Sequence, residues 1–365
     1  MVVRPVDTFG VQGLRSAARR LGTAVLFGLV PAVALCPIWA PWTMIDFTTF
    51  RRAGTALLAG TSPYPPVDAD VLVTGLNFVY PAPVAFAFAP FALIPLPLAA
   101  ALWALLLTGA TVGTLLLVGV RDWRCIGLAF VSPWVLNGLW VGAISPLLAL
   151  ALAVAWRYRE RRAIAALAVA ALIVSKLFLW PLLVWLAATR RTPAAIAAAA
   201  GGAVASLAAW AALDFAGLMD YPRILDLLAQ VEQDQTYSAV ALGLSLGLGA
   251  GTAQALAVAA GATGLVAAVV LGRRGADLSA LTAALAVALL LSPIIWPHYF
   301  ALALVPLAVA RPRLGPLWLA VLLPWLTTGE SDGVAWKIVV GLGAGLAVLA
   351  VTGARVQQRA AAAPA

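Results

Sequence analysis

Asp46 stands in Trp42-Thr43-Met44-Ile45-Asp46-Phe47-Thr48-Thr49-Phe50, a lone carboxylate among strongly apolar neighbours. It either caps the helix that starts behind it or works as an acid or base, the default expectation for an ionisable group in apolar surroundings. Lys176, in Ile173-Val174-Ser175-Lys176-Leu177-Phe178-Leu179-Trp180-Pro181, poses a similar choice. It either snorkels to an interface or faces a buried anion such as a phosphate. In Ser292-Pro293-Ile294-Ile295-Trp296-Pro297-His298-Tyr299, Trp296 and Tyr299 fit an aromatic belt, and His298 is either a satisfied structural residue or a catalyst. Asn137 and Trp140 follow Ser132-Pro133-Trp134. Tyr64 and Tyr80 anchor two proline-rich turns, Gly60-Thr61-Ser62-Pro63-Tyr64-Pro65-Pro66 and Phe78-Val79-Tyr80-Pro81-Ala82-Pro83.

Other chemistries are poorly supplied. The two cysteines, Cys36 and Cys125, lie in apolar stretches and make neither a disulfide framework nor a zinc site. His298 is the only histidine. No glycine loop is followed by the Lys-Ser/Thr that phosphate cradling requires. Gly243-xxx-Gly247-xxx-Gly251 and Gly341-xxx-Gly345 fit close helix packing. Asp68 and Asp70 spell D-x-D, in what reads as a solvated loop.

The elements that must position these residues are membrane helices. Of 365 residues, 64% are hydrophobic and 10% charged, with a mean hydropathy of +1.01. Soluble domains average about 45–50% apolar and about 25% charged, so a water-soluble globule is excluded, as is disorder. A crossing helix needs about 20 apolar residues. Candidate spans lie near 22–42, 98–120, 125–141, 144–156, 163–176, 178–189, 194–213, 252–272, 278–294, 298–310, 315–328 and 334–353. The expected architecture is an all-α polytopic bundle of about 12 transmembrane helices (about 10–13), some of them half-length or broken.

Charge orients this bundle. With a cytoplasmic N-terminus, 18 of the 23 basic residues fall inside, in arginine clusters such as Arg157/Arg159/Arg161/Arg162 and Arg273/Arg274. Against 4 acidic residues they give +14 inside, while 5 basic and 10 acidic residues give −5 outside. The positive-inside rule predicts that asymmetry. It holds only if the apolar stretch 78–96, rich in proline, lies at the outer surface as a juxtamembrane helix and does not cross. The layout gives a cytoplasmic tail 1–20, a first extracytoplasmic loop 43–97, a second long outer loop 214–251 and a cytoplasmic tail 354–365, all in one transmembrane domain. Arginines before the first apolar run resemble a signal peptide, but its length and Leu35-Cys36 favour an uncleaved span. Asp46, Lys176, Asn137 and His298 fall on the outer side. The arginines are short membrane-edge clusters, so they give no indication of nucleic-acid binding.

In order along the chain, these motifs resemble the GT-C superfamily and specifically glycosyltransferase family 87. That family includes actinobacterial polyprenol-phosphate-mannose-dependent mannosyltransferases and related arabinofuranosyltransferases. The resemblance rests on Asp46-Phe47 with Phe50, Ser62-Pro63-Tyr64, Tyr80-Pro81, Ile94-Pro95-Leu96-Pro97 and Ala101-Leu102-Trp103. It continues through Gly142 with Pro146-Leu147-Leu148, Ser175-Lys176-Leu177-Phe178 with Pro181, and Ser292-Pro293 with Trp296, His298 and Tyr299. It implies inverting transfer of a sugar, mannose first, from a polyprenyl-phosphate donor to a lipid or cell-envelope glycan acceptor at the extracytoplasmic face. Asp46 matches the family's catalytic aspartate. Lys176, His298, Tyr299, Asn137, Tyr64 and Tyr80 become candidates for the donor phosphate or sugar. No nucleotide diphosphate leaves in such a reaction, so the resemblance implies no obligatory metal or other cofactor.

Where the family commonly has Gly-Gln-x-Asn, this chain has Gly142-Ala143-Ile144-Ser145, which bears on the identity of the sugar. The alternatives are an arabinofuranosyltransferase of the same family, a non-catalytic assembly partner, and a lipid-linked-sugar flippase or secondary transporter. Transporters of that kind often carry internal repeats with ionisable residues near the midplane, a pattern the sequence does not show.

Overall fold

The computed structural model describes residues 44–74, 77–327 and 329–361, together with positions 13, 16, 17 and 22. The expected tail 1–20 and first span 22–42 otherwise lie outside the described residues, as does the end of the C-terminal tail. Every regular element among the described residues is helical.

Proline sets many of the boundaries, because it lacks a backbone donor and clashes with the preceding turn. Helix α1 (Ile45–Leu58) is followed by α2 (Ala69–Thr74) and α3 (Ala82–Ala92), the last with Pro81 at its N-cap. Pro95 then caps α4 (Leu96–Leu117). At 11 residues α3 is about 16 Å long, too short to cross a bilayer core of about 30 Å. Arg51 on α1 ends it: its guanidinium donates to the carbonyls of Phe91 (3.1 Å), Ala92 (3.4 Å) and Ile94 (3.1 Å), satisfying the last turn with a cation. The backbones of α1 and α3 approach closely at Gly54, where a Cβ would lie 2.7 Å from the Phe88 carbonyl oxygen.

The expected span 125–141 is a bent pair, α5 (Trp123–Val131) and α6 (Pro133–Val141), meeting at 60°. Ser132 ends one helix and caps the other, its hydroxyl accepting from Trp134 N at 3.1 Å. Helices α7 (Ser145–Arg157) and α8 (Arg162–Ser175) follow, and then the chain breaks at extended Lys176. A 3-10 turn (Leu177–Leu179) leads to Pro181, the first residue of α9 (Pro181–Ala188). Next come α10 (Thr192–Ala211), the amphipathic α11 (Tyr221–Val231), α12 (Ala239–Ser245), α13 (Ala250–Arg273) and α14 (Asp277–Leu291). After Ser292 and Pro293 a 3-10 helix (Pro297–Ala303) runs into α15 (Leu304–Ala310). Helix α16 (Pro316–Leu319), a further 3-10 stretch (Ala320–Thr327) and α17 (Ala335–Ala361) complete the chain.

Among the described residues, four helices are long and apolar enough to cross a membrane: Leu96–Leu117, Thr192–Ala211, Ala250–Arg273 and Ala335–Ala354, or five spans if the bent pair counts as one. They present exposed leucines, valines and isoleucines outward, for example Leu98, Leu102 and Leu105 on α4 and Leu256 and Val266 on α13. Lipid can cover such faces and water cannot do so cheaply. The remaining apolar helices are shorter, and α5 to α9, α14 and α15 supply much of the buried core.

Candidate active site

Three breaks in the helices, at Ser132-Pro133, Lys176 and Ser292–Pro297, bring polar side chains to one cavity of about 1180 Å³. Broken helices persist in a membrane protein where protein or a cavity satisfies the freed backbone groups. Of the expected site residues, Asp46, Tyr80, Asn137, Lys176, His298 and Tyr299 line this cavity. Tyr64 is not among its lining residues; it supports the wall from behind. Its hydroxyl donates to the Tyr80 carbonyl at 3.0 Å, and its ring stacks on Trp210 at 4.9 Å. Asp68 and Asp70 are exposed, and Asp68 accepts from the Asp70 N–H at the start of α2.

Asp46 lies in the first turn of α1, and its place is fixed by its neighbours. Met44 N–H donates to the Trp140 carbonyl at 2.8 Å, tying the start of α1 to the end of α6. Phe47 is fully buried, stacked on Trp103 with ring centres 5.7 Å apart and edge-on to Phe91. Trp103 in turn donates from Nε1 to the Gly142 carbonyl at 2.8 Å. Gly142 ends α6 with φ +72°, and a Cβ there would lie 2.8 Å from Phe47 Cβ and 2.9 Å from Met44 Sδ. Glycine is required at that position for both reasons. Asp46 is half-buried in the cavity wall. Burial pushes its carboxyl up to about 6, and the nearby charge of Lys176 opposes the rise.

Lys176 is 8% exposed. Its ammonium donates to the Tyr299 hydroxyl and lies 4.5 Å above the Tyr80 ring, a cation–π contact. Tyr299 is held by Phe178, whose ring stacks on it at 5.2 Å. His298, 4% exposed, pairs through Nδ1 with Asn137 Oδ1 at 2.8 Å. An amide oxygen only accepts, so Nδ1 carries the proton, and in the neutral imidazole Nε2 presents a lone pair; that Nε2 is buried and has no partner among the described residues. The cavity combines a carboxylate of raised basicity, one cation and hydrogen-bonding groups, the components of an acid–base group transfer near an anion.

Sequence reasoning missed the acidic wall. Glu232, Gln235, Glu330 and Asp332 also line the cavity, with Leu225, Leu228 and Val231 beside them. These residues lie in two segments of ordinary polar composition, 232–235 and 330–332, where no spacing distinguishes them. The one available signal was the amphipathic pattern of Tyr221–Val231, which gives α11 an apolar face to lay on the protein.

Apolar helices around a cavity that gathers a carboxylate, a lysine and a histidine define a membrane protein with a candidate ligand site. The chain belongs to glycosyltransferase family 87, whose sequence model matches residues 78–297. The match contains Tyr80, Asn137 and Lys176, begins after Asp46 and ends one residue before His298. No curated protein and no solved structure gives a match. The protein is a membrane glycosyltransferase.

Proposed function

We propose that the protein moves a sugar, mannose first, from a polyprenyl-phosphate carrier to a hydroxyl of a lipid or cell-envelope glycan at the extracytoplasmic face. The observation carrying this reading is the convergence of Asp46 and Lys176, 130 residues apart in sequence, on one cavity. Asp46 takes the proton of the acceptor hydroxyl as its oxygen attacks C1 of the sugar. The C1–O bond to phosphate breaks on the opposite face, so the anomeric configuration inverts. The bonding pair leaves on the polyprenyl phosphate, and Lys176, with the Tyr299 hydroxyl beside it, steadies that charge. The anionic leaving group needs a cation, and Lys176 is the only one lining the cavity among the described residues.

The same reading gives about 12 crossings, with the shorter helices as half-length or paired spans and both termini cytoplasmic. The test is transfer by the purified full-length protein from polyprenyl-phosphate-mannose to membrane acceptors. Transfer from nucleotide sugars alone would overturn the reading. Polyprenyl-phosphate-arabinofuranose belongs in the same assay, because Ala143 and Ser145 stand where the related enzymes commonly carry amide side chains.

A further inference from the structure

We infer that Glu232 is a second ligand-reading carboxylate of this cavity, accepting hydroxyl hydrogens from the carbohydrate part of a substrate and so selecting which sugar is held. The inference rests on the lipid-linked-sugar reading for the substrate class, and on four observations for the residue.

Glu232 continues the wall that Leu225, Leu228 and Val231 of α11 begin. Its segment is clamped on two sides. Thr236 Oγ1 and Tyr237 N–H donate to the Ile295 carbonyl at 3.0 and 2.9 Å, three residues before His298. On the other side Ser331 N–H donates to the Gln235 carbonyl at 3.0 Å, and the Tyr237 hydroxyl donates to the carbonyls of Thr327 (2.7 Å) and Gly329 (3.0 Å). The carboxylate is therefore carried on backbone that is tied down, as a selecting group requires.

Two buried atoms on this cavity's lining residues lack a partner among the described residues, Glu232 Oε2 and His298 Nε2. Each is a lone-pair acceptor, and a buried acceptor left unmade costs free energy that a ligand donor would recover. The charges then choose among donors. Asp332 already has Lys337, and Lys176, the single lining cation among the described residues, is engaged by Tyr299. Burial and the neighbouring Glu330 charge raise the Glu232 carboxyl above its ordinary range. A phosphate would be repelled at this wall, whereas a neutral ring bearing several O–H donors answers both acceptors.

The sugar could be that of the donor or that of the acceptor, and equilibrium binding to the purified full-length protein in nanodiscs separates the two. The probes are bare polyprenyl phosphate, polyprenyl phosphate bearing mannose or arabinofuranose, and soluble methyl α-mannoside. Glu232→Ala should lose about tenfold in affinity, the worth of one charged hydrogen bond. A loss for the sugar-bearing lipid assigns Glu232 to the donor sugar, and a loss for the glycoside assigns it to the acceptor. Glu232→Gln, which keeps an accepting oxygen, should recover part of the loss, and bare polyprenyl phosphate should bind both variants as it binds the wild type. An equal loss for the bare lipid would make Glu232 structural and overturn the inference. No loss in either arm would overturn it as well. A wild type that binds these sugars but transfers none would defeat the proposed transfer while leaving Glu232 in place.

Discussion

At residue scale, the proposed role of Asp46 as base requires an ionised carboxyl, and burial has lifted it to about 6. Protonation below that pH removes the base, so kcat/KM should climb as pH rises through about 6 and level off above it. An acid limb near 4 would show instead that the carboxyl is solvated during turnover. Asp46→Asn should reduce transfer by about 10²–10⁴-fold with donor binding nearly unchanged, measured by single-turnover transfer beside equilibrium binding. Lys176→Met should weaken binding of bare polyprenyl phosphate itself, which separates its role from that of Asp46. These two residues were readable in the sequence because an ionisable group in an apolar run is conspicuous. Glu232 and Glu330 were not, since an acid in a polar loop looks like any other until folding turns it toward a cavity.

The elements hold the residues in register, and two positions expose how. Gly142→Ala adds a Cβ within 2.8 Å of Phe47 and forces a positive φ on a residue with a side chain. It should cost about 1–3 kcal/mol and displace the first turn of α1, lowering both the thermal midpoint and kcat. At the far end of α14 from Ser292, Asp277 accepts from Arg159 Nε (2.7 Å), Arg191 Nη2 (2.8 Å) and Trp185 Nε1 (2.9 Å). Three chain segments meet on one carboxylate. Asp277→Asn should cost about 2 kcal/mol, read as a lower thermal midpoint in detergent, with KM for the donor unchanged. Most helix positions were readable from apolar runs and proline boundaries. Their lengths were less so: hydropathy measures how apolar a segment is, and the breaks at Ser132, Lys176 and Ser292 depend on caps and cavity contacts made by distant residues.

At the scale of the whole molecule, the exposed apolar faces of α4, α10, α13 and α17 require a bilayer, and the positive-inside rule predicts a cytoplasmic N-terminus for the bundle. Single cysteines replacing Asp68 and Arg313 should react with a membrane-impermeant maleimide from opposite sides of intact cells, Asp68→Cys from outside only. Labelling of both from one side would mean that the 78–96 stretch crosses. The cavity's lining also runs from Ile45 to Asp332, nearly the full described length. That spread has a consequence for biosynthesis. A chain emerging from the ribosome will already have Asp46, Lys176 and His298 in hand, yet the Tyr237 hydroxyl has no acceptor until the carbonyls of Thr327 and Gly329 are made. The pocket can close only near the end of translation, so partially inserted chains should carry no activity and should be the forms that membrane quality control removes.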